Sequence, residues 1–219
     1  MTRVPRPGLV IFDNDGVLVD SERIANAVMA DLLTGYGVPT TTEEAIRDYM
    51  GGSMALVRAR VRERHGSDLP SAFEDAYHQA AFAAFRAELV AVAGVSDLLD
   101  ALVAADIPYC VASSGTHERI RLTLTTTGLI DRFADAVIFS SQDVAHGKPA
   151  PDLFLLAAEK MGFAPEDCAV IEDSPLGVTA ARAAGMRVYG HTALTPPGRL
   201  ADADALFAAM TEVPALLGL

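Results

Sequence analysis

The chain has 219 residues, about half of them hydrophobic, and 29 acidic against 17 basic side chains leave a net charge of −12. That suits one large domain, or one domain with an insertion, with enough apolar surface for a substantial core. The acidic balance argues against nucleic acid or an anionic membrane as partner, but a phosphorylated small molecule stays compatible, because a local lysine and a bound cation can reverse the field inside a cleft.

In chain order, the first strong signal is an apolar run, Leu9 to Phe12, that reads as a buried parallel strand. It leads into Asp13-Asn14-Asp15-Gly16, where Asp-Gly is a breaker. Residues at i and i+2 of an extended segment point the same way, so Asp13 and Asp15 can face one ligand. Paired carboxylates can hold a hard cation, act as nucleophile, or act as acid and base. The plain alternative is an Asp-Gly turn.

Residues 18–89 then read as helices only, near 22–34, 43–49, 53–65 and 71–87, separated by Gly35, Gly37, Pro39, Gly66 and Pro70. From about residue 95 the pattern alternates. Helical periodicity is expected at 95–105, 117–127, 152–161 and 177–184. Strand-like runs are expected at 107–112, 136–139, 168–172 and 186–190. Such alternation predicts a parallel sheet covered by helices on both faces. Gly128, Gly162 and Gly185 stand where those helices should stop. The tail from Leu194 onward suggests a short edge strand and helix. Cys110 and Cys168 each sit inside a strand pattern, where apolar packing is the default. No segment approaches a membrane span, and no leader pattern opens the chain, so a cytoplasmic protein is expected.

Polar residues also stand at other strand ends. Ser113 and Ser114 follow Tyr-Cys-Val-Ala, Lys148 lies in Gly-Lys-Pro before a helix, and Glu172-Asp173 follow Cys-Ala-Val-Ile. Individually these are ordinary. In this order, after Asp-x-Asp-Gly-Val-Leu, the set resembles the four motifs of the haloacid dehalogenase-like phosphatase superfamily. The resemblance extends from Leu9 to about Gly190. It implies an α/β fold with a Rossmann-like doubly wound parallel sheet, residues 1–17 and 90–219, and an inserted small helical cap, residues 18–89. The hinges are expected near 17–21 and 90–94.

The resemblance further implies roles. Asp13 is the nucleophile that forms an aspartyl-phosphate, and Asp15 is the acid for the leaving alcohol and then the base for water. Lys148 pairs with the phosphate and with Asp13. Ser113 gives a hydroxyl to a phosphate oxygen, and backbone amides of Asn14, Asp15 and Ser114 complete the cradle. Mg²⁺ is expected on Asp13, Asp173 and the Asp15 carbonyl, with Glu172 joining directly or through a water; all these ligands are hard oxygens. The aspartate at position 15 separates phosphoryl transfer from the dehalogenase branch.

The loop Tyr49-Met50-Gly51-Gly52-Ser53-Met54 resembles the cap specificity loop of the β-phosphoglucomutase-like subfamily, so Gly52 and Ser53 are expected to contact substrate. Met54 stands where the mutase has an arginine, and Ala25 where it has a histidine. The reading is therefore a Mg²⁺-dependent phosphatase of a small phosphorylated metabolite, a sugar or sugar-acid phosphate, acting as monomer or weak homodimer. The alternatives are a sugar phosphomutase and a non-catalytic phosphate-binding protein. Of Arg47, Arg58, Arg60, Arg62 and Arg64, four alternate along one helix, so most are expected to face solvent and at most one or two to reach the cleft. No histidine is given a role.

Overall fold

The computed structural model describes residues 5–50 and 52–219. Gly51, in the expected specificity loop, lies outside the described residues. Two compact units form: the described residues through Val19 with Val90–Leu219, and Asp20–Leu89. Helices α1 (Glu22–Gly35), α2 (Thr42–Tyr49), α3 (Met54–His65) and α4 (Phe73–Glu88) make up the second unit. Helices α5 (Val95–Ala104), α6 (His117–Thr126), α7 (Asp152–Met161), α8 (Pro175–Ala183) and α9 (Val213–Leu216) belong to the first.

The first unit is built on strands β1 (Leu9–Phe12), β2 (Tyr109–Ser113), β3 (Ile138–Ser140), β4 (Cys168–Glu172), β5 (Arg187–His191) and β6 (Ala205–Phe207). Their order is β3-β2-β1-β4-β5-β6, and every neighbouring pair is parallel. This is the doubly wound α/β arrangement expected from the alternation. The strand order reverses between β1 and β4, and in such sheets that crevice is where ligands bind.

The four side chains of β1 are fully buried. Alternate residues face opposite sides of a sheet, so a wholly apolar strand needs cover on both. On one side, Leu9 and Ile11 join Cys110, Cys168, Val170, Leu153, Phe154 and Val178 in a single cluster beneath α7 and α8. Burying each large side chain of this kind contributes about 1.5–3 kcal/mol. Both cysteines are free and buried, as their strand positions imply.

Element boundaries moved for local reasons. The strand expected at 107–112 begins at Tyr109, because Pro108 has no N–H for the ladder. Residues 135–137 form a 3-10 turn, which shortens β3. Helix α8 starts earlier than its periodicity suggested: Ser174 caps it and Pro175 takes the first helical position. Strand β5 runs one residue further than expected and ends on His191.

The second unit has its own core, with Met29, Leu33, Val57, Val61 and Phe73 buried together. Thr41 and Glu44 form a capping box at the start of α2, and Ser53 caps α3. The arginines are largely taken up within the unit. Arg58 donates to the carbonyls of Leu69 and Pro70, Arg62 to Asp68, and Arg47 and Arg64 both to the buried Asp48.

Candidate active site

Phe12 pairs in register with Ile171 and with Val111, so the residues just past β1 lie beside those ending β4 and β2. Asp13 N–H donates to the Ile171 carbonyl at 3.0 Å, which fixes the first carboxylate at the reversal point. The chain then turns. The Asn14 carbonyl accepts from the amides of Leu18 and Val19 at 2.9 and 3.1 Å, and Gly16 adopts φ +74°. A side chain at Gly16 is excluded twice: by that dihedral, and because a Cβ would lie 2.0 Å from Asp173 Oδ2.

Lys148 connects the two strand ends. Its Nζ lies 2.7 Å from Asp13 Oδ1 and 2.7 Å from Glu172 Oε1, and it sits over the Phe154 ring, 4.7 Å from the centroid. All three charged groups are buried. Burial pushes the Asp13 carboxyl up to about 7, with Lys148 opposing and Glu172 adding to the rise. The Lys148 ammonium is itself pushed up, because two carboxylates outweigh the cost of its burial. The two shifts differ in origin: burial dominates at Asp13, whereas at Lys148 two neighbouring carboxylates overcome it.

Glu172 is held from its other side. Its Oε2 accepts from Ser174 N–H at 2.6 Å, and a Cβ on Gly177 would fall 1.7 Å from Oε1. The glycine at the start of α8 therefore makes room for this carboxylate. Asp173 follows, with its carboxylate against Gly16.

Ser113, expected to contact phosphate, ends β2, and Ser114 follows it. Ser113 is buried, and its Oγ accepts from Gly115 N–H at 3.1 Å. Ser114 is exposed, and its carbonyl accepts from Ser141 Oγ at 2.8 Å. In the separate helical unit, Gly52 and Ser53 are exposed; Gly52 N–H donates to the Tyr49 carbonyl, and the Ser53 hydroxyl accepts from Leu56 N–H as the cap of α3.

Two residues at this end of the sheet escaped the sequence reading. Arg119 on α6 pairs with Asp15 through Nε and Nη2, the shortest contact being 2.7 Å from Nη2 to Oδ1. His191 is buried, stacks on Phe207, and donates from Nδ1 to the Gly16 carbonyl at 2.9 Å. The available signal for His191 was a polar residue ending an apolar strand pattern. For Arg119 it was only a basic residue one turn into the helix that follows Ser113.

The sequence profile of haloacid dehalogenase-like hydrolases matches residues 7–185. The chain belongs to that family. Among relatives of this haloacid dehalogenase-like hydrolase, a probable pseudouridine-5'-phosphatase of Drosophila melanogaster is 36% identical over 198 residues, covering 88% of this chain and 83% of the relative. A 6-phosphogluconate phosphatase of Escherichia coli is 31% identical over 181 residues, 82% and 80% of the two chains. Among solved structures, a haloacid dehalogenase-like protein of unknown function from Agrobacterium tumefaciens superposes with a TM-score of 0.87 at 34% identity, covering 96% of this chain and 97% of that one.

A divalent cation such as Mg²⁺ needs hard oxygen donors. Among the described residues no three His, Cys, Asp or Glu side chains form a ready-made cage. Lys148 stands between Asp13 and Glu172, which accounts for that. Asp13 and Asp173 are hard oxygen donors, and the lack of a side chain at Gly16 lets the Asp173 carboxylate lie against the turn that follows Asp13. Mg²⁺ is commonly held by one or two carboxylates plus waters and substrate phosphate, so the arrangement fits it.

The raised Asp13 carboxyl makes a stability prediction. A carboxyl whose folded pKa lies above its unfolded value of 3.8 contributes stability below the unfolded pKa and loses it as pH rises toward 7. In chelator, Asp13→Asn should therefore gain on the wild type as pH goes from 4 to 8, read from denaturant midpoints. A constant difference across that range would contradict the assignment.

Proposed function

We propose that the protein is a Mg²⁺-dependent phosphatase that hydrolyses a small phosphorylated metabolite through an aspartyl-phosphate on Asp13. One observation carries the reading. A buried carboxylate, Asp13, shares Lys148 with Glu172 at the sheet's reversal point, and a second carboxylate, Asp15, follows two residues later on its own cation.

In this reading Asp13 Oδ attacks phosphorus in line with the leaving oxygen. Lys148 holds the Asp13 carboxylate in place and meets a phosphoryl oxygen as a point charge. Ser113 turns its hydroxyl to a second oxygen, and the amides of Asn14, Asp15 and Ser114 line the rest. Asp15 gives a proton to the leaving oxygen and later takes one from the water that opens the acyl phosphate. Asp13, Asp173 and the Asp15 carbonyl would hold Mg²⁺, with Glu172 acting through a water because Lys148 and Ser174 already bond its oxygens. The cation supplies cancellation of phosphoryl charge.

The proposed substrate class is a sugar or sugar-acid phosphate, which the name of the 6-phosphogluconate phosphatase supports; the name of the pseudouridine-5'-phosphatase points to a nucleotide. Gly52 and Ser53 are proposed to contact it, and the enzyme is proposed to act in the cytoplasm as a monomer or weak homodimer. Phosphomutase is the second reading. Against it, Met54 packs on the helical unit's own core and Ala25 is buried, so neither position offers an arginine or histidine to a second phosphate. A non-catalytic role fits poorly with an intact Asp13, Asp15, Lys148 and Asp173.

Two measurements test this. Hydrolysis of p-nitrophenyl phosphate should vanish in excess chelator and return with Mg²⁺; undiminished turnover in chelator would contradict the metal. β-Glucose 1-phosphate with catalytic glucose 1,6-bisphosphate should give free phosphate and little glucose 6-phosphate. Efficient isomerisation would favour the mutase.

A further inference from the structure

The Asp15–Arg119 pair is built more deliberately than a surface ion pair. Its side chains are 15% and 14% exposed. Arg119 Nε reaches Oδ1 and Oδ2 at 3.3 and 3.2 Å, and Nη2 reaches Oδ1 at 2.7 Å. A planar fork on a carboxylate fixes its orientation, which a point charge does not.

The surroundings are arranged for that fork. Gly115 has no side chain where the stem of Arg119 passes: a Cβ there would lie 3.2 Å from Arg119 Cδ and 3.6 Å from Cγ. The Arg119 backbone is fixed by the helix cap, since its N–H donates to Thr116 Oγ1. One turn further along the same face of α6, Thr123 Oγ1 accepts from the Asn14 side-chain amide at 3.0 Å, where both residues are buried. Helix α6 therefore holds two successive residues of the turn that carries Asp15.

The need for such a hold is electrostatic. Asp15 lies close enough to Asp13 to push the Asp13 carboxyl up, so the two carboxylates repel. Lys148 is already shared by Asp13 and Glu172. Without a cation of its own, Asp15 would be free to swing away from Asp13.

We propose that Arg119 is a positioning residue for the reaction, holding the Asp15 carboxylate in the orientation from which it transfers protons. This rests on the reading of Asp15 as acid and base. Arg119 acts through Asp15 and does not bind the phosphoryl group.

The test compares kcat/KM for phenyl phosphate, whose leaving oxygen needs a proton, with p-nitrophenyl phosphate, whose leaving anion is stable. In a two-step mechanism this ratio reports transfer to Asp13. Acid–base help is worth about 10² to 10⁴-fold, so Arg119→Ala should cost phenyl phosphate about tenfold or more relative to p-nitrophenyl phosphate. Inhibition by inorganic phosphate should stay unchanged. Arg119→Lys, with the charge but not the fork, should fall between, and it replaces the alanine variant if that one melts early. In an Asp15→Asn background, Arg119→Ala should change little more, because both substitutions remove one function. Equal losses on both substrates, weakened phosphate inhibition, or additive losses with Asp15→Asn would each overturn the proposal. If Asp15→Asn itself shows no leaving-group dependence, the acid–base reading of Asp15 fails and takes the proposal with it. If Asp15→Asn shows that dependence and neither Arg119 variant does, the proposal alone fails.

Discussion

One ammonium group between two buried carboxylates sets the terms for this end of the sheet. Isolated, any of the three charges would be costly to bury, and removing one partner of such a group typically costs about 3–5 kcal/mol. Asp13, Lys148 and Glu172 are tolerable only together, which requires β1 and β4 to be neighbours and the loop after β3 to fold back over them. The group carries a net negative charge, because one cation faces two anions. Burial raises the Asp13 carboxyl most, and the second anion, Glu172, adds to the rise.

The packing around the charges serves the same end. Gly177 leaves room for Glu172 and Gly16 leaves room for Asp173, so two glycines bring the carboxylates as close as they are. Phe154, part of the core beneath α7, closes the apolar side of Lys148. His191, at the end of β5, pins the turn after Asp13 through the Gly16 carbonyl. The hydrophobic core and the site are thus one construction: strands that need apolar cover on both faces place polar residues at their ends.

Much of this was legible in the chain. The apolar runs of β1 and β4 read as buried strands and form them, and the candidate site residues stand at their ends. Ser113 and Lys148 could be placed because each stands at a punctuation point, a strand end or a Gly-Lys-Pro loop. Arg119 could not, because its partner is 104 positions away and nothing local distinguishes it from the exposed bases of other helices. His191 was hidden for the same reason, its contact spanning 175 positions. The arginines of α3 show the converse. Their alternation along the helix pointed mostly to solvent, yet most satisfy loop carbonyls and aspartates of their own unit. Short-range pattern marks where side chains stand, and pairing across the sheet decides what they do.

The central claim is that Asp13 takes the phosphoryl group. It is tested most directly by rapid-quench mass spectrometry of the Asp15→Asn variant with p-nitrophenyl phosphate. Transfer to Asp13 should proceed while hydrolysis of the adduct stalls, giving a burst of p-nitrophenol and a covalent phosphate on the peptide that contains Asp13. Turnover without an adduct, or an adduct on any other residue, would contradict the account.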